Sequence, residues 1–246
     1  MGRFEGKTVL ITGGSSGIGL AGAKLLIAEG AEVIVTGRTE SHLAAAAAEL
    51  GEKAVVVHDD ASDGKTLERL LPVVKDTGGL DGLWLNAAYG IAATVEEADK
   101  EAIEKLLQVN VVAPMLQMGA LSPYLKDGSS VVVTSSTAVY EGRPMVSLYA
   151  ASKAAILTAA RGWAAEYAPR GIRVNALVPG PIKSNLRAQL PDELRAQYEE
   201  QLADSLLLKR VGEAREAAAV ALFLLSDEAS FVTGSSYAVD GGMLFN

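Results

Sequence analysis

The chain has no cysteine among its 246 residues, so neither a disulfide framework nor a thiolate nucleophile is available to it. Histidine is nearly as scarce. His42, in "ESHLAAAAAEL", and His58, at a strand end, have no carboxylate or cysteine at metal-ligand spacing. That argues for structural or surface roles and against a metal site. There is no Gly-x-Ser-x-Gly elbow to support a hydrolase triad. The 22 lysines and arginines are scattered without a basic run, against 30 aspartates and glutamates. The resulting net charge of −8 repels phosphate backbones and anionic lipid, so no nucleic acid and no membrane is expected as a partner. The longest apolar runs, such as "AAAVALFLL" over 217–225, are about half of what spans a bilayer. The amino-terminal stretch "MGRFEGKTVLITGG" shows neither an apolar signal region nor a myristoylation pattern. A soluble, cytoplasmic protein is expected.

What is present is an alternation. Short β-branched runs ("TVLITG", "AEVIVTG", "KAVVVHD", "LDGLWLN", "SSVVVTS", "IRVNALV", "SSYAVDGG") are separated by helical stretches rich in Ala, Leu, Glu and Lys. The strand candidates are nearly all-apolar, as strands buried on both faces should be. No linker or composition break divides the chain. The pattern predicts one α/β domain over 1–246, a Rossmann-like doubly wound parallel sheet of about seven strands with helices on both faces. Ligands of such sheets sit beyond the carboxyl ends of the strands.

The first of those ends carries "ITGGSSGIGLAGAKLL". Gly13, Gly17 and Gly19 form G-x-x-x-G-x-G between a strand and a helix, with Ser15, Ser16 and Ile18 in the same turn. Glycines there allow unusual dihedrals and let backbone N–H groups approach a pyrophosphate at the helix N-terminus. The second strand ends "VIVTGRTE". Gly37 stands where an acid would hold the ribose 2′-hydroxyl of NAD, and Arg38 follows it. An absent acid and a present guanidinium favour NADP(H) over NAD(H), although an exposed arginine at a strand end is common. Thr39 and Ser15 offer hydroxyl contacts, whereas Ser16 is not basic and supplies no second cation. After the third strand, in "HDDASD", Asp60 is placed to accept from an adenine amino group with the Ala61 backbone against the ring. Equally, these acids could only cap the next helix, with Asp63 as N-cap.

The fifth strand leaves Ser135 and Ser136 at its carboxyl end, and "SLYAASKAAIL" follows. Chance supplies about 0.3 Tyr-x-x-x-Lys pairs in this composition, so the motif alone proves little. Its position is the stronger argument. Tyr149 and Lys153 open a helix just after a sheet strand, on the ligand side, and residues four apart share a helix face. A free phenol has a pKa near 10. A neighbouring ammonium favours the phenolate and brings the phenol toward the working range of an acid–base catalyst.

With these segments in order, the chain resembles the short-chain dehydrogenase/reductase family over nearly its whole length, from "KTVLITGGSSGIG" through "LNAAYG", "VTSSTAVY", "YAASK" and "RGIRVNALVPGPI" to "FVTGSSYAVDGG". The resemblance implies Tyr149 as catalytic acid/base and Lys153 as the residue that lowers its pKa and holds the nicotinamide ribose. It implies Ser136 as the group that binds the substrate oxygen, with Ser135 the lesser choice, and Asn110 as the holder of a relay water. A purely structural Asn110 would merely bend its helix, with Pro114 contributing. Asn86 matches the family's Asn-Ala-Gly segment, with Ala88 in place of the glycine. Pro179, Gly180 and Ile182 match the segment along the nicotinamide, and Ser184 stands at a position usually threonine.

The reaction implied is NADP(H)-dependent interconversion of a ketone or aldehyde and an alcohol, a carbonyl reductase or ketoreductase acting on a small molecule without a metal. An NAD(H)-dependent alcohol dehydrogenase of the same family is the alternative, and a catalytically idle dinucleotide-binding sensor or interaction protein is the reading from another class. Enoyl reductases of the family space their tyrosine and lysine more widely, and halohydrin dehalogenases lack the dinucleotide loop and carry arginine for the lysine. The substrate pocket is expected from Tyr89, Ile91, the Tyr140–Leu148 loop and a lid over about 183–210 that includes Leu186 and Leu190. Glu141 and Arg143 either read a polar substrate or face water. The catalytic helix offers one stripe of Ile156, Ala160, Trp163 and Tyr167 and another of Ala155, Ala159 and Gly162. Together with the resemblance, these two faces imply a homotetramer.

Overall fold

In a computed structural model, residues 2–63, 65–183 and 192–245 are described. Seven parallel strands form one sheet in the order β3-β2-β1-β4-β5-β6-β7. They are β1 (Thr8–Thr12), β2 (Glu32–Gly37), β3 (Ala54–His58), β4 (Leu80–Leu85), β5 (Leu125–Thr134), β6 (Arg173–Pro179) and β7 (Ser236–Val239). Helices α1 (Gly17–Ala28), α2 (Glu40–Leu50) and α9 (Ala214–Leu225) cover one face. The other is covered by α3 (Thr66–Asp76), α5 (Ala113–Leu121) and α7 (Ser147–Tyr167). Helices α4 (Lys100–Leu107), α6 (Ala138–Glu141) and α8 (Asp192–Ser205) lie in the connections on the ligand side.

The two-sided core follows from the two-residue period of a strand. Leu10, Leu83, Val131, Val133 and Val174 point to the α3–α5–α7 layer. Their neighbours Val9, Ile11, Trp84 and Val132 point to the α1–α2–α9 layer. Parallel strands covered on both faces have no polar side, which is why these runs read as continuous hydrophobics. The edges depart from that expectation. Val55 on β3 is 48% exposed, and β7 alternates exposed with half-buried residues, because each edge has a neighbour on one side only.

Strand order reverses between β1 and β4, and the crevice beyond their carboxyl ends is where ligands of such sheets bind. Two other features shape that end. The run from α4 to α5 is not a continuous α-helix, since a π-helical turn over Gln108–Val112 interrupts it and carries Asn110. Asn110 therefore does more than bend a helix, because the turn aims its side chain into the core. Across the sheet, the six-membered edge of Trp84 occupies the space that a side chain at Gly22 of α1 would need. A Cβ on Gly22 would lie 2.2 Å from Trp84 Cζ3. Among the described residues no helix is long and apolar enough to cross a membrane.

The Gly22–Trp84 fit gives a test of the packing. Gly22→Ala is expected to destabilise the protein by about 1–3 kcal/mol, read as a lower urea midpoint. Combining it with Trp84→Val should cost less than the two single changes summed, by about 1 kcal/mol.

Candidate active site

The loop after β1 has the geometry of an anion cradle. Gly13 and Gly17 adopt φ of +66° and +53°. A side chain at Gly13 would come within 2.8 Å of the Ala87 backbone, and one at Gly19 within 2.4 Å of the Gly13 carbonyl. Helix α1 begins at Gly17 with no acidic residue in its first turn, and no side chain caps it at Ser16. Its N–H groups are thus left for a phosphate, and the residues present fit the pyrophosphate of a dinucleotide. Beneath the loop, Thr12 Oγ1 accepts from the backbone N–H groups of Asn86 and Ala87 at 3.0 and 3.1 Å. The Asn86 Nδ2 group donates to the Gly13 carbonyl at 3.2 Å.

At the next strand ends lies the adenosine side. Gly37 has a steric reason to lack an acid, since a Cβ there would sit 2.1 Å from Ser15 Oγ. Arg38 is exposed, and its carbonyl is held 3.1 Å from His58 Nε2. Arg69 NH1 lies 2.6 Å from His58 Nδ1. Guanidinium can only donate, so Nδ1 accepts and Nε2 carries the proton that goes to Arg38. This clamp on Arg38 was not legible in the sequence, where His58 showed no ligand spacing; its partner is an arginine eleven residues on. Asp60 Oδ1 accepts from the N–H and hydroxyl of Ser62 at 2.9 and 2.8 Å. Burial pushes the Asp60 carboxyl up, but those bonds and the charges of Arg38 and Lys105 outweigh it and hold it below the usual range. Asp63 is not an N-cap, the alternative use of these acids. Helix α3 starts after Lys65, whose N–H donates to Asp63 Oδ1 at 2.8 Å.

Around the end of β5 the two serines separate. Ser135 is buried and its hydroxyl donates to the Lys153 carbonyl at 3.0 Å, fastening α7 to the strand. Ser136 is half-buried, and its Oγ accepts from Ala138 N–H at 3.2 Å. Lys153 lies 5.9 Å from the Tyr149 ring centroid. Its Nζ donates to the Thr134 carbonyl at 3.0 Å. Burial, with only 2% of Lys153 exposed, brings its pKa down to about 8. Asn110 clamps the Tyr89 backbone, accepting from its N–H and donating to its carbonyl, both at 2.8 Å. The Asn110 amide also donates to Ser152 Oγ at 3.0 Å, and Ser152 donates to the Tyr149 carbonyl at 2.7 Å. Ser152 was passed over in the sequence, although its place three residues after Tyr149 puts it within reach of that carbonyl.

The remaining positions line the far side. Thr137 N–H donates to the Pro179 carbonyl at 3.0 Å and Gly180 N–H to the Val239 carbonyl at 3.0 Å. The Ile182 side chain is buried in the core, and its backbone lies opposite Gly212 in a parallel bridge. Ser184, Leu186 and Leu190 lie outside the described residues. Glu141 and Arg143 pair with each other at 2.7 Å. They border a cavity of about 320 Å³ together with Tyr140, Ser205, Met243 and Leu244. Among the described residues no group of three His, Cys, Asp or Glu side chains is placed to hold a metal.

A dinucleotide cradle at the switch point, with a phenol, an ammonium and a hydroxyl around the neighbouring strand end, is the arrangement of a doubly wound oxidoreductase. Comparison with known proteins narrows this class. The family described as "Enoyl-(Acyl carrier protein) reductase" matches residues 13–244. An oxidoreductase, asL5, of Sarocladium schorii is 37% identical over 98% of this chain and 97% of that protein. A glucose 1-dehydrogenase of Gluconobacter oxydans is 36% identical over 98% of this chain and 93% of that one. The crystal structure of a short chain dehydrogenase from Burkholderia cenocepacia in complex with NADP superposes with a TM-score of 0.90 at 31% identity, covering 98% of this chain and 99% of that one. The chain belongs to the short-chain dehydrogenase/reductase family, whose members bind a nicotinamide dinucleotide.

The burial of Lys153 has a measurable cost. Its pKa is about 8 in the folded protein against an ordinary 10.5, so the unfolded chain binds more protons between those values and stability from this group rises with pH across that window. Below pH 8 the full penalty of burying the charge is present, on the order of 3 kcal/mol. Lys153→Met should therefore raise the stability of the dinucleotide-free protein at pH 7 by about 1–3 kcal/mol. Thermal melts should show that advantage shrinking from pH 8 toward 10.5.

Proposed function

We propose that this protein is an NADP(H)-dependent oxidoreductase that interconverts a ketone or aldehyde and an alcohol. The observation that carries the reading is the placement of Tyr149, Lys153 and Ser136 at the end of β5, beside the glycine loop. A bound nicotinamide supplies the hydride for the carbonyl carbon, or takes it in the reverse direction. Tyr149 gives its phenolic proton to the carbonyl oxygen in reduction and removes the alcohol proton in oxidation. Ser136 holds that oxygen by a hydrogen bond. Lys153 favours the phenolate as the proton leaves and holds the nicotinamide ribose. Asn110, through its turn, carries the water that returns a proton to the site.

The choice of NADP(H) rests on Arg38, whose carbonyl His58 holds, and on Gly37, where an acid would displace Ser15. The relative solved with NADP supports it. Asp60 and Ala61 take the adenine in this reading, Asn86 supports the loop, and the backbone of Ile182 takes the carboxamide. In this reading helix α8 forms part of the lid over about 183–210. A homotetramer fits the exposed Leu107, Met115 and Leu116 along α4 and α5, beside the open face of α7 at Gly162. The other α7 stripe, with Ile156, Ala160, Trp163 and Tyr167, is taken up by the protein's own core. A second reading, reduction of an enoyl thioester, is favoured by the description of the matching family. The four-residue spacing of Tyr149 and Lys153 opposes it.

Consumption of NADPH and NADH, measured in parallel over a panel of ketones, aldehydes and an enoyl thioester, separates these readings. Turnover of a carbonyl with NADPH is expected. Turnover with NADH alone would overturn the phosphate contact, and turnover of the thioester alone would overturn the carbonyl reaction. Tyr149→Phe should lower kcat by about 10³ while leaving NADPH affinity nearly intact. Arg38→Asp should shift preference toward NADH by at least about tenfold, since it replaces a cation at the 2′-phosphate with an acid suited to a 2′-hydroxyl.

A further inference from the structure

We propose that Trp84 and Thr134 are positioning residues for the dinucleotide loop, fixing the orientation of the Asn86 amide beneath Gly13. The chain of hydrogen bonds is buried at its Trp84 end, half-buried at Asn86, and has a single direction. Trp84 is fully buried in β4, and its Nε1–H lies 2.9 Å from Thr134 Oγ1. An indole N–H is a donor only, so the threonine hydroxyl must accept there. The hydroxyl's one hydrogen is then free to go to Asn86 Oδ1, 3.1 Å away. With Oδ1 committed as acceptor, the other end of the amide is Nδ2, which donates to the Gly13 carbonyl at 3.2 Å. Turned over, the amide would set two oxygens against each other under the loop.

The surroundings leave this arrangement little freedom. A Cβ on Gly19 would lie 2.8 Å from Asn86 Nδ2, so the amide fills the space between loop and strand. Trp84 also rests against Gly22 in α1, the helix that the loop opens. The indole therefore touches the phosphate-binding unit twice, once by packing and once through Thr134 and Asn86. The resemblance that brought Asn86 to attention says nothing of Trp84 or Thr134. Their role comes from the direction of the hydrogen bonds alone.

This inference rests on the reading that the glycine loop binds a dinucleotide. The test is therefore the dinucleotide Kd by calorimetry, with KM and kcat alongside, in the full chain. Thr134→Val keeps the shape and removes the hydroxyl, leaving the indole N–H and Asn86 Oδ1 without their partner. Dinucleotide Kd and KM are expected to rise about tenfold, with kcat falling by a smaller factor. Thr134→Ser, which restores the hydroxyl, should bring both back to within about threefold of wild type. Trp84→Phe removes the indole donor along with part of the ring against Gly22 and should raise Kd about threefold. A folded Thr134→Val variant with unmoved Kd would overturn the proposal, as would Thr134→Ser impaired to the same degree. If Thr134→Val does not fold, Trp84→Phe decides, and an unmoved Kd there overturns it. Wild-type protein that binds neither NADPH nor NADH would overturn the functional reading and this inference together. Wild-type binding with unaffected variants would overturn this inference alone.

Discussion

A buried ammonium, facing a backbone carbonyl, is the constraint on which the site depends. Lys153 is brought into the interior by the long helix that also carries Tyr149, and Thr134 receives it at the end of the strand. Holding a cation there requires α7 and β5 to keep a fixed distance. Ser135 supplies part of that rigidity by bonding the carbonyl of the same lysine. The serine beside it is then left at the strand tip with its side chain half-exposed. One residue fastens the helix, and the next faces the ligand side. The desolvation that weakens the hold of Lys153 on its proton also strengthens its electrostatic influence on the neighbouring phenol, because both effects come from the same low-dielectric surroundings.

The sheet gives this constraint its geometry. Strands β4 and β5 are neighbours, so Asn86 at the end of one and Thr134 at the end of the other are adjacent across the ladder. β1 lies on the other side of β4, which puts the glycine loop next to both. Sites separated by more than a hundred residues of chain thus meet within two strand spacings. The reversal of strand order opens the crevice, and the ends of β1, β4 and β5 furnish it. None of the groups concerned stands on a long unsupported loop.

Much of this was readable from the residues because parallel strands and their turns leave strong marks. All-apolar runs marked the strands, spaced glycines marked the loop, and the Tyr149–Lys153 spacing marked a shared helix face. What escaped was set by packing between distant segments. Nothing local in "LDGLWLN" tells that Trp84 needs Gly22 opposite it, since the two are sixty-two positions apart. His58 looked inert because its partner is an arginine and its acceptor a backbone carbonyl, neither of which belongs to a ligand pattern. The alternative in which Asp63 caps α3 fails for a different reason. Asp63 has the chemistry of an N-cap, but its side chain is used by the N–H of Lys65 in a turn before the helix begins. Ser152 went unnoticed because a serine within an alanine-rich helix resembles filler until Asn110 comes across to meet it.

The π-helical turn at Gln108–Val112 bears on how the gene can vary. Such a turn holds one residue more than the α-helical path between the same end points. A single-residue deletion within it would restore a regular helix without severing α4 from α5. The faces of α4 and α5 would keep their bearings, because the turn alone absorbs the extra residue, and only the residues of the turn itself would reorient. Asn110 would swing away from Tyr89 while the fold survived. Length changes in surface connections are ordinarily tolerated, but here the count of residues is itself part of the site. Lineages that keep Asn110 at work must keep the extra residue, so insertions and deletions, more than substitutions, are the changes this segment excludes.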